Sequence, residues 1–242
     1  FNFILKIAKQ NFNIKINDFH ENEKVMLLML HYDVWQNAGG FNSLEESINS
    51  IGKNKIFVSE VIEVLELLIE RVDFKEIDIQ LPYKQPLKVH ARYTRDQILS
   101  AFGLSTFNRK SSSREGVAEN VDLNTELLFI NLIKSEENFS PTTMYDDYAI
   151  SETLFHWQSQ NSARPDYGKG LTYVNHQEND KKILLFVREK ANDEKGNTMG
   201  YVFIGEGNFK ENEGSKPMNI KWELNEPLPN YLWNESAKLS IG

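Results

Sequence analysis

The sequence predicts an α+β chain in which a helical N-terminal segment, residues 1–88, precedes a β-rich domain, residues 89–242, built as a closed or nearly closed β-barrel. Three observations predict it. Apolar residues recur at helical spacing as far as Val72. Two prolines, Pro82 and Pro86, then interrupt the pattern. From Leu123 onward the apolar residues fall into short runs, some at period two, separated by stretches rich in Gly, Asn and charge.

The helices come first. Glu21 to Gln36 places Val25, Leu28, Met29, Tyr32 and Trp35 at helical spacing, and Gly39-Gly40 stops it. Ser43-Leu-Glu-Glu46 has the form of a capping box, in which hydroxyl and carboxylate satisfy the first free amides, and opens a short helix to Ile51. Phe57 to Phe74 is the strongest helix. Val58, Ile62, Leu65, Ile69 and Val72 form a stripe that buries against something, with Glu63, Glu66 and Glu70 off it. Leu81 to Pro86 reads as a linker and domain boundary. Thr94-Arg-Asp-Gln97 is a second capping box, and Gly103 ends the helix it starts. Phe107 to Val117, basic and serine-rich, reads as an exposed loop.

Strands follow. Leu127 to Ile133 is apolar on both faces, and Thr153 to Gln160 alternates. Leu171–Val174, Ile183–Arg188 and Tyr201–Gly205 come next, and then Met218, Ile220, Trp222 and Leu224 share one face. Asn192 to Gly196 and Glu211 to Lys216 read as hairpin loops. Roughly six or seven short strands with turn signals between them suit a barrel.

Composition narrows the class. The 242 residues suffice for one large domain or two small ones, and 26% charged with 40% hydrophobic residues is ordinary for a soluble globular chain. The chain opens on Phe1 rather than methionine and is expected to be a piece of a longer protein. Cysteine is absent, which removes disulfides and thiolate metal sites and fits a reducing, cytoplasmic setting. The longest apolar stretch, Val58 to Ile69, is broken by Glu60, Glu63 and Glu66, so no membrane span or signal peptide is expected. Net charge is -8, spread as -3 over residues 1–90 and -5 over 91–242. Phosphate neutralisation favours Lys and Arg, so any DNA-binding surface must be a local patch.

Two constellations could carry recognition. Met144-Tyr-Asp-Asp-Tyr-Ala149 sets Tyr145 and Tyr148 around Asp146 and Asp147, just after Ser140-Pro141. An aromatic face stacks on a base and a carboxylate accepts from a base amino group, as a flipped-base pocket requires; a structured loop with packed rings is the plain alternative. In Phe155-His-Trp-Gln-Ser-Gln160, a strand would turn Phe155, Trp157 and Ser159 one way and His156, Gln158 and Gln160 the other. Either set could line a cavity, or Phe155 and Trp157 could be barrel core with His156 and Gln158 facing solvent. Arg109, Lys110 and Arg114 among serines form one candidate phosphate patch, and Arg164 with Lys169 a second.

Enzyme signatures are poor. The five His have no metal-ligand spacing, and neither a P-loop nor a nucleophile elbow occurs. Neither a cofactor nor catalysis is expected of this chain. Pro165-Asp166 with Asp180-Lys-Lys182 matches a loose acid-acid-lysine nuclease pattern, in which carboxylates hold a metal ion and lysine steadies water; the match is permissive and reads as chance.

Several strings carry a resemblance: Arg92-Tyr-Thr-Arg-Asp-Gln-Ile98, Arg114-Glu-Gly-Val117, Phe139-Ser-Pro-Thr-Thr-Met-Tyr-Asp-Asp-Tyr148, Phe155 to Gln160, Leu184-Leu-Phe-Val-Arg-Glu189 and Lys216-Pro-Met218. Over about residues 89–235 they resemble the uncharacterised C-terminal domain that follows DEAD/DEAH-type helicase modules in SauUSI-like, ATP-dependent type IV restriction enzymes. The resemblance implies a target-recognition domain, similar to SRA-type PUA-like barrels, that reads 5-methylcytosine or 5-hydroxymethylcytosine in duplex DNA by base flipping. It implies methylated double-stranded DNA as partner, beside the motor and nuclease domains of a parent chain. On residue chemistry alone, the pocket candidates are Tyr145, Asp146, Asp147, Tyr148, Trp157, Gln158 and Ser159, and the phosphate candidates Arg109, Lys110, Arg114, Arg164 and Lys169. Two rivals stay open: an interaction or homodimerisation module that touches no DNA, and a metal nuclease using Asp166, Asp180 and Lys182.

Overall fold

The structure is a computed structural model and describes residues 1–133 and 147–233, apart from residues 38, 73, 74 and 76. The fold is mixed α+β, and its chain divides into two compact units. One comprises residues 1–75, 81–87 and 95–112, the other residues 76–80, 88–94 and 113–242.

The first unit holds helices α1 (Asn2–Lys9), α2 (Glu21–Trp35), α3 (Leu44–Ile51), α4 (Lys55–Glu70) and α5 (Arg95–Ala101), with a short 3-10 turn at Ile16–Asp18. Ile7, Phe12, Leu27, Ile48 and Val58 form its core. The Ser43 cap forms as the sequence implies: its hydroxyl accepts from the Glu46 amide at 3.1 Å. The reciprocal arm reaches one residue further, because Glu46 Oε2 accepts from the Asn42 amide at 2.8 Å. Helix α5 packs on α2 and belongs to this unit, whereas a single cut at residue 88 would have put it with the strands.

The second unit holds strands β1 (Arg92–Tyr93), β2 (Val117–Asn120), β3 (Thr125–Asn131), β4 (Tyr148–Ser151), β5 (Leu154–Gln158), β6 (Lys182–Arg188), β7 (Tyr201–Glu213) and β8 (Asn219–Leu224). Helix α6 (Gly168–Val174) lies between β5 and β6 in sequence. The strand order is β2-β3-β6-β7-β8-β5-β4, with β1 added on β7. Strands β3 and β6 run parallel and the other pairs antiparallel. The closed or nearly closed barrel expected from the strand count is therefore corrected as to closure: among the described residues β2 and β4 end the path without pairing to each other, and the sheet is open. Both end strands have only four residues, and edges this short limit the unpaired backbone left exposed.

Two further expectations change. Leu171–Val174 lies in α6, not in a strand; so short an apolar run fits either period. Gly170 explains why α6 sits where it does, since a Cβ there would stand 2.1 Å from the Arg164 carbonyl oxygen. Strand β7 also runs on to Glu213, through part of the expected loop, and serves two sets of partners: β1 and β6 with its first half, β8 with its second. A bulge at Ile204, followed by Gly205 at φ +97, marks the changeover. The inward face is a single core containing Phe155, Trp157, Tyr173, Ile204, Ile220 and Trp222. Among the described residues no helix is long and apolar enough to cross a membrane.

Candidate functional site

Strand β5 decides which of the candidate side chains can meet a ligand. Its burial alternates: Phe155 and Trp157 are buried, while Leu154, His156 and Gln158 are half-buried. Trp157 packs edge-on against Tyr173 with ring centroids 5.4 Å apart, and lies 6.3 Å from Trp222. It is core, so its place as a pocket plane is corrected: its ring packs against Tyr173 of α6 and beside Trp222 of the paired strand β8. Ser159 is buried too. Its hydroxyl accepts from the Met218 amide at 2.9 Å and lies 3.2 Å from the Gln160 carbonyl, closing the end of the β5–β8 ladder. Asp147 is buried, and its Oδ1 accepts from the Gln158 amide at 2.7 Å, so it holds the strand edge. Tyr145 and Asp146 lie outside the described residues.

The outward face of the same strands gathers a different set. Tyr148 on β4 pairs with His156 on β5, His156 with Lys221 on β8, and Lys221 with Glu211 on β7. Four strands thus lay one cross-strand row of polar and aromatic side chains. The next row carries Gln158, Asn219 and Glu213. The Tyr148 and His156 rings stack at 4.7 Å with planes 15° apart. Lys221 Nζ meets Glu211 Oε1 at 2.7 Å, and Gln158 Nε2 donates to Asn219 Oδ1 at 3.3 Å. Tyr148, His156, Glu211, Asn212, Glu213, Asn219 and Lys221 line a cleft of about 160 Å³.

A bulge at Lys210 makes this row. Phe209 pairs with Trp222 and Glu211 with Lys221, leaving Lys210 as the extra residue. Without it, strict alternation would turn Phe209 and Glu211 to the same face; with it, Phe209 packs against the core and Glu211 joins the cleft. The Lys221 ammonium beside Glu211 holds that carboxyl below its ordinary range, and Glu211 in turn raises Lys221. The cleft therefore offers an ionised acceptor, an ionised donor and two amides beside an aromatic plane.

The basic candidates are not equivalent. Arg164 is forked onto Asp166, with Nε at 2.6 Å and Nη2 at 2.5 Å. Lys169 is ion-paired to Glu119 and, at 3.0 Å, to Glu126. Lys110 pairs with Asp96 at 2.7 Å and donates to the Gln36 carbonyl. Arg109 and Arg114 are exposed, Arg109 in the helical unit and Arg114 in the sheet unit. Two of the nuclease triplet are likewise engaged elsewhere: Asp166 holds Arg164, and Lys182 pairs with Glu206 at 2.9 Å. Among the described residues no three His, Asp or Glu are grouped to hold a metal ion.

A buried polar network went unread in the sequence. Glu126, fully buried at the start of β3, faces Tyr173 Oη at 3.0 Å and Lys169 Nζ at 3.0 Å. The same tyrosine hydroxyl lies 3.1 Å from Gln160 Oε1, and Lys181 is ion-paired to Glu119. Burial pushes the Tyr173 hydroxyl far above its ordinary range, with the charge of Glu126 adding to it. Glu119 loses solvent too, but hydrogen bonds from Lys169 and Lys181 outweigh that and lower its pKa. It ties α6 to the β2–β3 hairpin. No local spacing joins these residues, which span positions 119 to 181, so the network went unread although Lys169 and Gln160 are singled out for other roles.

The fold and site thus define a two-unit α+β protein with an aromatic and polar cleft on the outer face of an open sheet. Residues 87–236 match the family described as a domain of unknown function, DUF3427, and the chain belongs to that family. None of the curated proteins matches it. Among solved structures it is similar to Arabidopsis thaliana SUVH6 in complex with SAM, at 11% identity and a TM-score of 0.38, over 93% of this chain and 41% of that one. It is also similar to KRYPTONITE in complex with mCHG DNA and SAH, at 11% identity and a TM-score of 0.40, over 86% of this chain and 43% of that one. The chain thus spans about two fifths of the length of these two structures.

Proposed function

We propose that this chain is the target-recognition part of an ATP-dependent type IV restriction enzyme, and that it reads 5-methylcytosine or 5-hydroxymethylcytosine flipped out of duplex DNA. One observation carries the reading: the cross-strand row Tyr148–His156–Lys221–Glu211 sets an aromatic plane beside a donor and an acceptor in a cleft of about 160 Å³. A cavity of roughly 150 Å³ accommodates one six-membered ring. Cytosine presents an amino group, from which the Glu211 carboxylate accepts a hydrogen bond, and a carbonyl, to which Lys221 or the Asn219 amide donates. The ordered motif resemblance between residues 89 and 235 supports the parent enzyme class.

The acidic surroundings suit a base better than a phosphate. Glu211 and Glu213 line the cleft, and the whole chain carries -8. Backbone contacts then fall to exposed cations such as Arg109 and Arg114, and affinity weakens with salt. Cutting and ATP hydrolysis belong to other domains of the parent; the engagement of Asp166 by Arg164 and of Lys182 by Glu206 supports assigning no cleavage to this chain.

Base flipping has its own test. Extrusion costs less when the base is mispaired. A duplex with 5-methylcytosine opposite a mismatch is expected to bind the full chain more tightly than the fully paired methylated duplex. If mispairing leaves affinity unchanged or weakens it, the modified base is not extruded.

A further inference from the structure

A base stacked on an aromatic ring carries its substituents in its own plane. A group on the cytosine C5 therefore points along the base edge, toward the rim of the cleft and away from the rings. Beyond Tyr148 and His156, that rim is Glu211, Asn212, Glu213, Asn219 and Lys221. Among the described residues no Ala, Val, Leu, Ile, Met or Phe lines the cleft, and the Lys221 stem is its one aliphatic stretch. The register explains the polarity. Ile220 and Trp222 of β8 face the core, so Asn219 and Lys221 take the outward positions, and β7 beyond its bulge adds Glu211 and Glu213.

The charge of the rim is as definite as its polarity. One lysine stands against two glutamates, and Lys221 is already paired with Glu211 at 2.7 Å. A methyl group at this rim covers polar groups and returns no hydrogen bond to them. A hydroxymethyl group carries a hydroxyl that both donates and accepts, so it can bond to a carboxylate, an amide or the ammonium, whichever it faces. A carboxyl group only accepts, and it brings a second anion to a rim already net negative.

We propose that the cleft selects a neutral, hydrogen-bonding C5 substituent, taking 5-hydroxymethylcytosine ahead of 5-methylcytosine and excluding 5-carboxylcytosine. This rests on the placement of the base in the cleft. The probes are three duplexes of one sequence that differ only at C5 of one cytosine: methyl, hydroxymethyl or carboxyl. They are titrated against the full chain at one stated salt concentration and pH 8, where an ordinary histidine is neutral. A hydrogen bond to a charged group should make the hydroxymethyl duplex bind about tenfold more tightly than the methyl one, and the carboxyl duplex should bind most weakly. Glu213→Gln, an exposed position expected to fold, should raise carboxyl binding relative to hydroxymethyl by about tenfold. Glu194→Gln makes the same charge change on the exposed turn before β7, toward the other end of that strand from Glu213, and should leave the ratio unchanged. Phosphate repulsion is common to the three duplexes and cancels in the ratios.

Methyl binding as tight as hydroxymethyl, carboxyl binding as tight as methyl, or a carboxyl ratio that both glutamate variants move alike overturns the proposal. Tyr148→Ala separates this failure from failure of the cleft reading. If that variant loses its preference for modified over unmodified cytosine while the parent chain ranks the three substituents alike, the base sits in the cleft and the substituent choice is wrong. If a folded Tyr148→Ala chain keeps the hydroxymethyl preference intact, the preference is made elsewhere and both fall.

Discussion

Replacing Tyr148 by alanine removes the aromatic plane of the cleft while leaving the core alone. Tyr148 is half-buried on a four-residue edge strand, and its ring stacks on His156 at 4.7 Å. Such a pair adds roughly 0.5–1.5 kcal/mol beyond area burial, so the variant should fold. A ring already stacked on a neighbour loses little side-chain freedom when a base packs onto it, which favours a full stacking contribution. Stacking is worth roughly 1–3 kcal/mol per base. Loss of the ring should therefore weaken binding to methylated duplex by about fivefold to more than a hundredfold. Unmodified duplex, held by backbone contacts, should bind Tyr148→Ala and the parent chain alike. Fluorescence anisotropy with labelled duplexes reads both affinities, circular dichroism checks folding, and Tyr148→Phe, which keeps the plane, should retain discrimination. A folded Tyr148→Ala chain with full methyl discrimination would refute the placement of the base in this cleft.

Other outcomes follow from the same geometry. Arg109→Ala and Arg114→Ala should weaken both duplexes alike and each lower the salt slope by about one, whereas Arg164→Ala, whose guanidinium is already forked onto Asp166, should change affinity less. Glu126→Ala removes a buried acceptor from Lys169 and Tyr173, which keep Glu119 and Gln160, and should cost about 1–3 kcal/mol in urea denaturation, without selective loss of methyl discrimination. Burial lowers the pKa of His176, whose Nδ1 donates to the Lys181 carbonyl while Nε2 accepts from the Phe209 amide, and burial lowers that of His31. The unfolded chain takes up these protons first, so unfolding free energy should fall as pH drops through the ordinary histidine value of 6.5. His176→Gln should flatten that part of the profile; an unchanged slope contradicts the assignment. Glu119 acts at lower pH. Its folded pKa lies below 4.5, so its contribution is complete above that value and is lost as pH falls through the folded pKa, a loss that Glu119→Gln should remove.

Much of the fold was legible because period alone reveals faces. The Thr153–Gln160 alternation and the Met218–Leu224 run form paired strands as expected, and the Val58 and Leu65 stripe of α4 is buried. What period does not reveal is which neighbour covers a face. Trp157 reads equally well as a stacking plane or as core until α6, whose Tyr173 packs against it, is placed. The single-residue bulge at Lys210, which turns Glu211 into the cleft, leaves no mark in composition. His156 was seen on the polar side of its strand, but its stacking on Tyr148 needs the β4–β5 register. The Thr94 and Gly103 signals bracketed α5, whereas the unit it joins depends on packing against α2.

The most direct measurement is a titration of the full chain with matched duplexes, one carrying 5-methylcytosine and one unmodified, over a series of stated salt concentrations. Phosphate contacts are common to both duplexes and the base cleft is not. Methylated duplex is therefore expected to bind more tightly at every salt concentration, with the two affinities falling in parallel as salt rises. Coincident binding curves throughout the series would contradict modified-base reading.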